Sequence, residues 1–284
     1  MHRRAFKYRL YPNIEQQHAL AIQFGHARYA YNWGLATRSA YYKEHGKGLS
    51  FYELKRMLTE LKHDPEHEWM KGADSQVLQA KIEDLDRAYT NFFEGRAKYP
   101  KFKTRKGTQS IRYPQRFKFE GNRIYLPKVG WVKTVFHRPM EGTPKNVTVS
   151  KTKSGKYFVS IQSEVAYSTR QHGEGEVGID LGLTHFAILS DGRKIEHPQY
   201  LRKSERKLKR LQRRHSKKAK GSHNREKSRV KLARQYERIA NQRKDFLDKL
   251  SCQLAREYHI IRIENLNVCG MLKNHKLAKS ISDS

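Results

Sequence analysis

The stretch EVGIDLGLTHFAILSDG, residues 176–192, decides the fold expected for the second half of the chain. It holds two apolar runs, VGIDLG and THFAILS, followed by a turn at Asp191-Gly192. Together with a third short strand near 194–197, these runs predict an antiparallel meander. Asp180 interrupts the first apolar run in a strongly basic protein. This carboxylate is the first candidate for a functional residue.

The net charge of the chain indicates what kind of molecule it binds. The chain of 284 residues has 59 Lys plus Arg against 28 Asp plus Glu, a formal net charge of +31. Because such a field attracts polyanions, nucleic acid is the predicted partner, with a ribosomal-type or merely soluble basic protein as the alternative. A membrane-surface role is disfavoured, since neither terminus has a basic amphipathic helix with a bulky apolar face. The 37% of hydrophobic residues predicts a folded protein, and the length favours two domains.

The two cysteines predict a reducing compartment. Cys252 and Cys269 have no C-x-x-C partners, so this chain alone builds neither a disulfide framework nor a zinc site. The N-terminus lacks the apolar core of a signal peptide, and no run of about 18 apolar residues occurs. We therefore expect a cytoplasmic protein without a membrane span.

The first part of the chain predicts a strand followed by helices. RAFKYRLY, residues 4–11, alternates as a half-exposed strand that Pro12 ends, and Asn13 with Gln16 predicts a helix N-cap. Two amphipathic helices follow, with a more polar helical stretch near 51–62 between them. Their periodic residues are Phe24, Ala27, Tyr31 and Leu35 in the first helix, and Leu78, Ile82, Leu85, Tyr89 and Phe92 in the second.

Strands are expected again beyond residue 96. Residues 146–150 and 156–165 alternate on either side of a hairpin signal at Ser154-Gly155. A strand, a helical insertion and several further strands predict a small β-barrel or sandwich interrupted by helices. The linker QHGEGE, residues 171–176, marks the predicted domain boundary.

A long basic helix is expected from about 202 to 256, broken near Gly221-Ser222. Between Arg202 and Lys249 there are 20 Lys/Arg against 5 Asp/Glu, and like charges at this density repel one another along a helix. We therefore expect a polyanion to neutralise this segment, the alternative being a solvated basic face. The candidate nucleic-acid contacts are Arg206, Lys207, Arg210, Arg213, Arg214, Lys217 and Lys218. An apolar stripe in its second half consists of Leu232, Tyr236, Ile239, Leu247, Leu250 and Leu254.

A second carboxylate follows the strand-like run YHIIRI. Glu264 comes directly after Ile263, much as Asp180 comes after Ile179. If the helix returns the second strand beside the first, the two acids converge on neighbouring strands. A pair of carboxylates suits a hard divalent ion, Mg²⁺ or Mn²⁺, and paired ions can hydrolyse a phosphodiester. The alternative is that Asp180 caps a turn and Glu264 is an ordinary surface residue.

Several segments resemble the TnpB family, the transposon-encoded RNA-guided nucleases related to type V CRISPR effectors. They are RLYPN (9–13), YNWGLA (31–36), LPKVGWVK (126–133), GIDLGLTHFAILSDG (178–192), RKDFLDKLS (243–251) and IENLNVCGMLKNHKLAKSISD (263–283). The resemblance covers essentially the whole chain, and its last two segments are the most specific.

The resemblance implies an α+β multidomain fold. Residues 1–12 are the first strand of a wedge β-barrel, 13–95 a helical recognition insertion and 96–170 the rest of the barrel. Residues 175–284 then form an incomplete RuvC nuclease domain of RNase H-like fold. Members of the family bind a guide RNA made from the transposon end and cut double-stranded target DNA with Mg²⁺.

The same resemblance implies roles for individual residues. Asp180 and Glu264 match the first two catalytic, metal-binding acids. The helical insertion reads a short DNA motif beside the target, and the residues that match this role are Phe51, Lys55, Ser75 and Gln79.

The sequence departs from the family pattern after SISD. Relatives continue with a helix, a four-cysteine zinc ribbon and a third catalytic aspartate. Here the one acid after Glu264 is Asp283, which does not match that third ligand, and no ligands for the family's zinc occur. With two acids of three we expect at most weak cleavage, and apolar surface left uncovered around Leu266, Met271 and Leu277.

Three functions follow as hypotheses. The first is a transposon-associated RNA-guided DNA endonuclease, and the alternative is a nuclease-inactive RNA-guided DNA-binding protein, a repressor or a decayed transposon product. A third treats GIDLG as the phosphate loop of an actin-like or sugar-kinase ATPase, although neither a second phosphate loop nor a Gly-rich adenosine-binding segment appears downstream of Glu264. The guide sequence, the DNA motif and the oligomeric state stay open.

Overall fold

The computed structural model describes residues 2–166 and 173–283. The chain divides into two compact units, Met1–Tyr167 and Ser168–Ser284. Residues 171 and 172 of the predicted linker lie outside the described residues, and Glu176 begins a strand rather than ending the linker. No described helix is both long enough and apolar enough to cross a membrane.

The first unit begins with the predicted strand and capped helix. Strand β1 is His2–Tyr11 and helix α1 is Ile14–His45. The Asn13 side chain accepts a hydrogen bond from the Gln16 backbone N–H at 2.8 Å, and the Gln16 side chain accepts from the Asn13 N–H at 3.1 Å. This reciprocal pair satisfies two amide donors that a helix start otherwise leaves unpaired, which confirms the predicted N-cap.

Helices α2 and α3 and a short 3₁₀ helix complete the insertion between β1 and the next strand. Their bounds are Phe51–Leu61 (α2), Pro65–Gly72 (3₁₀) and Ser75–Phe93 (α3). Apolar side chains of the three α-helices and the 3₁₀ helix form one buried cluster. Of the periodic residues predicted for the two amphipathic helices, all except Phe92 are buried.

A seven-stranded antiparallel sheet forms the rest of the first unit. Its strands after β1 are Gln109–Tyr113 (β2), Lys118–Glu120 (β3), Arg123–Leu126 (β4), Gly130–Val135 (β5), Thr143–Lys151 (β6) and Tyr157–Val165 (β7). The order is β2-β6-β7-β1-β5-β4-β3. Alternate residues of each strand face a second core, which Leu20, Phe24 and Ala27 of α1 help to fill.

The predicted β-barrel or sandwich takes the form of an open sheet in the structure. In residues 2–166 the sheet ends at β2 and β3, and these two edge strands pair with β6 and β4 respectively, not with each other. The helices fill one side of this open sheet, so the core is closed by α1 and α3 and not by a final row of strand hydrogen bonds. The predicted order of strand, helical insertion and strands is nevertheless present.

Two glycines of α1 provide a matched stability test. A Cβ at Gly34 would lie 3.0 Å from Ile82 Cδ1 and 3.0 Å from Leu85 Cδ2, both fully buried, whereas a Cβ at Gly25 would meet nothing within 4 Å. We expect Gly34→Ala to lower the free energy of unfolding by about 1–3 kcal/mol through overpacking. Gly25→Ala should raise it by about 0.5–1 kcal/mol through helix propensity. Urea unfolding of both variants measures this, and equal shifts of the same sign would contradict the close packing of α1 on α3.

The second unit contains the predicted meander. Its strands are Glu176–Leu181 (β8), His185–Leu189 (β9) and Lys194–Glu196 (β10), paired antiparallel in chain order. A fourth strand, Ile260–Ile263 (β11), pairs with β8 in parallel and gives the order β10-β9-β8-β11. The structure therefore pairs β8, which contains Asp180, with the strand that directly precedes Glu264.

Two long helices connect β10 to β11. They are Tyr200–Ser216 (α4) and His223–Glu257 (α5), and Ser222 caps α5 at the predicted break. The Ser222 side chain accepts from the Arg225 N–H, while the Arg225 guanidinium donates to the carbonyls of His215 and Lys218 near the end of α4. Short helices Val268–Met271 (α6) and Ala278–Asp283 (α7) follow β11.

The apolar stripe predicted on α5 is buried only in part. Leu254 packs with Val177 and Ile179 in the core of the second unit, and Ile239 is also buried. Tyr236 and Leu247 are 46% and 45% exposed. The Tyr236 hydroxyl accepts a hydrogen bond from Gln212 Nε2 on α4 at 2.6 Å, so its polar end explains its place at the surface of the helix pair.

Candidate functional site

Asp180 and Glu264 occupy equivalent places on two neighbouring parallel strands. The last registered pair of β8 and β11 is Ile179 with Ile263; Asp180 is the next residue of β8, and Glu264 is the first residue after β11. Adjacent strands lie about 4.8 Å apart, so the register brings the backbone at Asp180 beside the backbone at Glu264. Both residues are exposed.

The burial pattern of β8 shows that Asp180 lies on the side of the sheet opposite the core. Val177 and Ile179 are buried in the core, so the alternating residues Glu176, Gly178 and Asp180 belong to the other side. Arg262 of β11 forms an ion pair with Glu176 on that side, 2.7 Å from Nη2 to Oε2. Arg262 is two residues before Glu264, so β11 presents the same alternation beside β8.

A polar network holds the beginning of β11 against the β9–β10 turn. The Arg193 guanidinium contacts Asp191 Oδ2 at 2.8 Å and Glu257 Oε2 at 2.7 Å, and Tyr258 donates to Asp191 at 2.6 Å. The Tyr258 hydroxyl and the Arg193 groups lower the pKa of Asp191. Because Glu257 ends α5 and Tyr258 precedes β11, this network fixes where the strand carrying Glu264 begins.

A different trio of possible metal ligands was missed from the sequence. Within residues 2–166 and 173–283, the one set of three ligand-type side chains whose atoms lie within 4.8 Å of each other is Asp64, Glu66 and His67. Asp64 caps the 3₁₀ helix, and backbone and His67 hydrogen bonds lower its pKa. Both His67 ring nitrogens are engaged, one by Asp64 and the other by Tyr29 at 2.8 Å. These contacts give the trio a structural role. In the sequence, an Asp directly before a Pro indicates a helix cap, and Asp64-Pro65 is such a pair.

The four residues expected to read DNA lie on two helices of the first unit. Phe51 and Lys55 are one turn apart on α2, where Lys55 Nζ lies 5.0 Å from the centre of the Phe51 ring. Ser75 is the first residue of α3, and Gln79 lies one turn further along. All four are partly exposed, and their helices share the buried cluster of the insertion.

The cations predicted on the basic helix lie on α4 or just after it. Arg206, Arg210 and Arg213 are on the side opposite Leu208, the buried residue of that helix. Of the seven candidates only Lys218 is partly buried, and none forms an ion pair with a carboxylate of the described residues. The full set is Arg206, Lys207, Arg210, Arg213, Arg214, Lys217 and Lys218.

The N-terminus of α4 is capped from far along the chain. Gln199, the residue before the helix, has a left-handed backbone and makes no side-chain cap. Asp283 of α7 instead accepts hydrogen bonds from the N–H groups of Leu201 at 2.8 Å and Arg202 at 2.9 Å. Its Oδ1 also lies 2.9 Å from the Arg243 guanidinium of α5. A carboxylate there satisfies free amides and complements the helix dipole.

A second tether joins the same helices. Lys279 of α7 forms an ion pair with Glu205 of α4 at 2.7 Å, and Glu205 also pairs with Lys209 at 2.8 Å. Hydrogen bonds from Lys209 and Lys279 lower the pKa of Glu205 to about 2. The first turns of α4 are therefore held by two residues of α7, the Asp283 carboxylate and the Lys279 ammonium group.

The Asp283 cap predicts a pH-dependent stability. Burial opposes ionisation of Asp283, but Arg243 and the two amides outweigh it and lower the pKa. Because the folded pKa is the lower one, the stabilisation is present at neutral pH and is lost as the pH falls through the acid range. We expect Asp283→Ala to lower the free energy of unfolding by about 1–3 kcal/mol at pH 7, and by less near pH 3.

Asp248→Ala is the matched control, because Asp248 is exposed and pairs only along α5 with Lys244. Its effect should stay below about 0.5 kcal/mol. Urea unfolding at several pH values measures both variants. A loss for Asp283→Ala that did not shrink in acid would contradict the ionised cap.

Two family models match parts of the chain. A family model described as "Probable transposase", OrfB of IS605, matches residues 153–275, and one described as "Helix-turn-helix domain" matches residues 1–47. The described part of that second match forms strand β1 and the single helix α1 instead of two helices around a turn.

Two curated relatives cover most of the chain. The "Putative RNA-guided DNA endonuclease InsQ" of Escherichia coli K12 is 38% identical over 273 residues, which are 95% of this chain and 68% of that protein. A "Putative RNA-guided DNA endonuclease" of Streptomyces pristinaespiralis is 39% identical over 287 residues, 99% of this chain and 71% of that protein.

Among solved structures, the chain aligns with one from "Cryo-EM structure of CRISPR-Cas12f Ternary Complex". The alignment covers 88% of this chain and 63% of that chain, at 10% identity and a TM-score of 0.38. This similarity is too low to compare the folds. The two long, clear sequence matches and the transposase family model confirm the resemblance found in the sequence: the chain belongs to the TnpB (OrfB) family of RNA-guided DNA endonucleases.

Proposed function

We propose that this protein is an RNA-guided DNA endonuclease that binds a guide RNA and hydrolyses a phosphodiester of double-stranded DNA at the strand ends bearing Asp180 and Glu264. The observation that carries the site is the parallel pairing of β8 with β11, which ends at the residues before both acids. The family membership supplies the reaction class.

The donor set fits Mg²⁺ or Mn²⁺. Asp180 and Glu264 offer carboxylate oxygens, and both are exposed, which suits a hard ion that keeps several of its waters. Bound there, the ion would polarise the phosphoryl group and lower the pKa of an attacking water. Without a cation, two adjacent carboxylates repel a phosphate, so metal binding and substrate approach depend on each other.

The α4 cations bring the polyanion to the protein. Seven side chains without carboxylate partners in the described chain present their charges to solvent, and each phosphate contact releases condensed counterions. The caps at both ends of α4 keep this row straight, since Asp283 holds its first turn and Arg225 its last carbonyls. We propose that α4 binds guide RNA or the RNA–DNA hybrid through the backbone, without reading sequence.

DNA motif recognition belongs, in this proposal, to the helical insertion. Ser75 and Gln79 share a side of α3, and an amide side chain such as Gln79 can form paired hydrogen bonds with adenine in the major groove. The Lys55–Phe51 pair on α2 offers a cation for a phosphate beside an aromatic surface. In family terms, the first unit is the wedge domain with its recognition helices, and 175–284 is the RuvC domain.

The compartment follows from the same proposal. Cys252 and Cys269 are free and exposed, which supports action in the reducing cytoplasm, where transposon DNA and RNA are found in bacteria.

Reconstitution tests the function. The protein is expressed with a guide RNA encoded beside it, purified, and mixed with linear DNA that carries the matching target next to a randomised motif. Cuts that require the guide, the target match and Mg²⁺ are the expected result. Protection of the target without cuts, in Mg²⁺ and in Mn²⁺, would contradict the endonuclease and support the nuclease-inactive alternative.

A further inference from the structure

Four neighbouring strands of the first unit each turn one aromatic ring away from the core. In the order β7-β1-β5-β4, the alternation of buried and exposed residues puts one ring per strand on the outer side of the sheet. These rings belong to Phe158, Tyr11, Trp131 and Tyr125. On β1, for example, Phe6, Tyr8 and Leu10 are buried while Tyr11 is 51% exposed.

Basic side chains lie between these rings on the same side. Lys7 and Arg9 of β1 lie over the Phe158 ring, 4.6 and 5.0 Å from its centre, and Arg9 also lies 5.3 Å from the Tyr11 ring. Lys133 of β5 is in register with both Tyr11 and Arg123. The outer strip is defined here by the four rings together with Lys7, Arg9, Lys133 and Arg123.

Carboxylates scarcely neutralise this strip. In the part of the first unit that the structure describes, Lys7, Arg9 and Lys133 form no ion pair. Arg123 is paired only with Glu120, at 3.4 Å between exposed side chains. The strip therefore combines flat rings with four cations, of which three have no carboxylate partner among the described residues, and this is the composition of a surface for a polyanion carrying flat groups.

The Arg9 guanidinium is a second, independent indication of a ligand, because one of its nitrogens lacks a hydrogen-bond acceptor. Its Nη1 is buried among the rings and has no hydrogen-bond partner. A buried charged donor without an acceptor is costly, and native structures retain one when a ligand supplies the acceptor or when function requires it. A phosphate or base oxygen arriving over Phe158 would supply that acceptor.

We propose that the outer strip binds an unpaired nucleic-acid strand, with bases stacked on Phe158, Tyr11, Trp131 and Tyr125 and phosphates held by the intervening cations. Three spacings of about 4.8 Å, roughly 14 Å, separate β7 from β4 across the strands, and the register sets Trp131 and Tyr125 four residues further along the strand direction than Phe158, so the rings form a diagonal row. Only unpaired bases have free faces for such stacking, so a duplex is excluded as the ligand. Within the proposed function, an unpaired part of the guide RNA is the source.

Binding of short homopolymers tests the strip. Three fluorescein-labelled probes are used: a twelve-nucleotide uridine RNA, a thymidine DNA of equal length and a twelve-base-pair RNA duplex. Fluorescence anisotropy in the presence of EDTA measures the affinity of the protein for each probe. Tyr11→Ala combined with Trp131→Ala should weaken uridine RNA binding about tenfold or more. Duplex affinity should change less than about twofold, since duplex binding depends on the phosphate backbone and the cations remain.

Tyr42→Ala is the matched control, because Tyr42 is exposed (62%) near the end of α1, away from the strip. It should leave binding of all three probes unchanged. Tyr11→Leu keeps an apolar side chain without a ring and should also lose RNA affinity, and Arg9→Gln should weaken uridine RNA binding and reduce its salt dependence. If the double variant unfolds in a thermal melt, these two single variants decide the outcome.

The two single-stranded probes identify the source. If the ring variants lose affinity for uridine RNA alone, the strip recognises RNA through the 2′-hydroxyl. If they lose affinity equally for RNA and DNA, the strip binds any unpaired strand. The proposal would be overturned if all ring variants bound uridine RNA as the wild type does, or if they lost as much affinity for the RNA duplex as for uridine RNA. These measurements need neither guide nor metal, so absent DNA cleavage would overturn the proposed function and leave the strip untouched.

Discussion

We expect Asp180→Asn and Glu264→Gln each to abolish most guide-programmed DNA cleavage, by at least about a hundredfold. The reason is local: each change removes one negative oxygen donor from a site with two carboxylates at the paired strand ends. Loss of a residue that merely supports a metal ligand costs about 10–100-fold, so loss of a ligand itself should cost at least as much. Both acids are exposed and the replacements keep their size, so the fold should persist.

The measurement needs a metal signal as well as a rate. Cleavage of labelled target DNA gives the rate, and electron paramagnetic resonance of added Mn²⁺ gives the bound ion. Each variant should lose both, while retaining guide RNA through the α4 cations. Glu196→Gln serves as the control, because Glu196 lies in the same sheet on β10 and is exposed.

Two outcomes would contradict this assignment. Cleavage by either variant at close to the wild-type rate would remove that acid from the site. An equal loss for Glu196→Gln would mean that general charge, and not the strand-end pair, controls the reaction.

We expect neutralising one side of α4 to weaken RNA binding about a thousandfold at 0.1 M salt. The variant replaces Arg206, Arg210, Arg213 and Lys217 with Gln, four cations opposite the buried Leu208. Each phosphate contact contributes about 0.7 to the slope of log affinity against log salt for a single strand, and about 0.9 for a duplex. Losing four contacts should therefore flatten the slope by about three.

The control removes cations that already have partners. Lys244 and Lys249 of α5 form ion pairs with Asp248 and Asp245 at 2.8 and 2.7 Å. Changing both to Gln should leave the slope within about one of the wild type. Filter binding from 0.05 to 0.5 M KCl measures all three proteins, and an unchanged slope in the α4 variant would mean that its charges are only solvated.

Local signals predicted the elements well. The Asn13–Gln16 capping box depends on residues three apart, and the break before α5 depends on Gly221 and Ser222, so neither required knowledge of the fold. The meander from β8 to β10 joins strands through short turns, which the sequence pattern also predicts. The parallel return of β11 followed from the long helical connection.

What the sequence could not predict depends on contacts between distant residues. The open order of the seven-stranded sheet puts β1 between β7 and β5, pairings that separate residues by more than a hundred positions. The outer strip exists only in that order, because its rings come from four strands. The Asp283 cap likewise joins residues 82 positions apart, and no local pattern indicates it.

The site could be predicted only to the level of its strands. An acid after each apolar run pointed to Asp180 and Glu264, and the β8–β11 register places the two runs together. The Arg193 network that fixes the start of β11 was not foreseen, because Asp191, Glu257 and Tyr258 come from a turn and a helix end far apart in sequence.

The distant cap of α4 also has a meaning for biosynthesis. A ribosome makes the polycationic segment well before it makes Asp283, so during translation the amides of Leu201 and Arg202 lack the acceptor that later completes the helix. Throughout that interval the cations of α4 repel one another, the first turn of the helix is uncapped, and the segment can bind any RNA nearby.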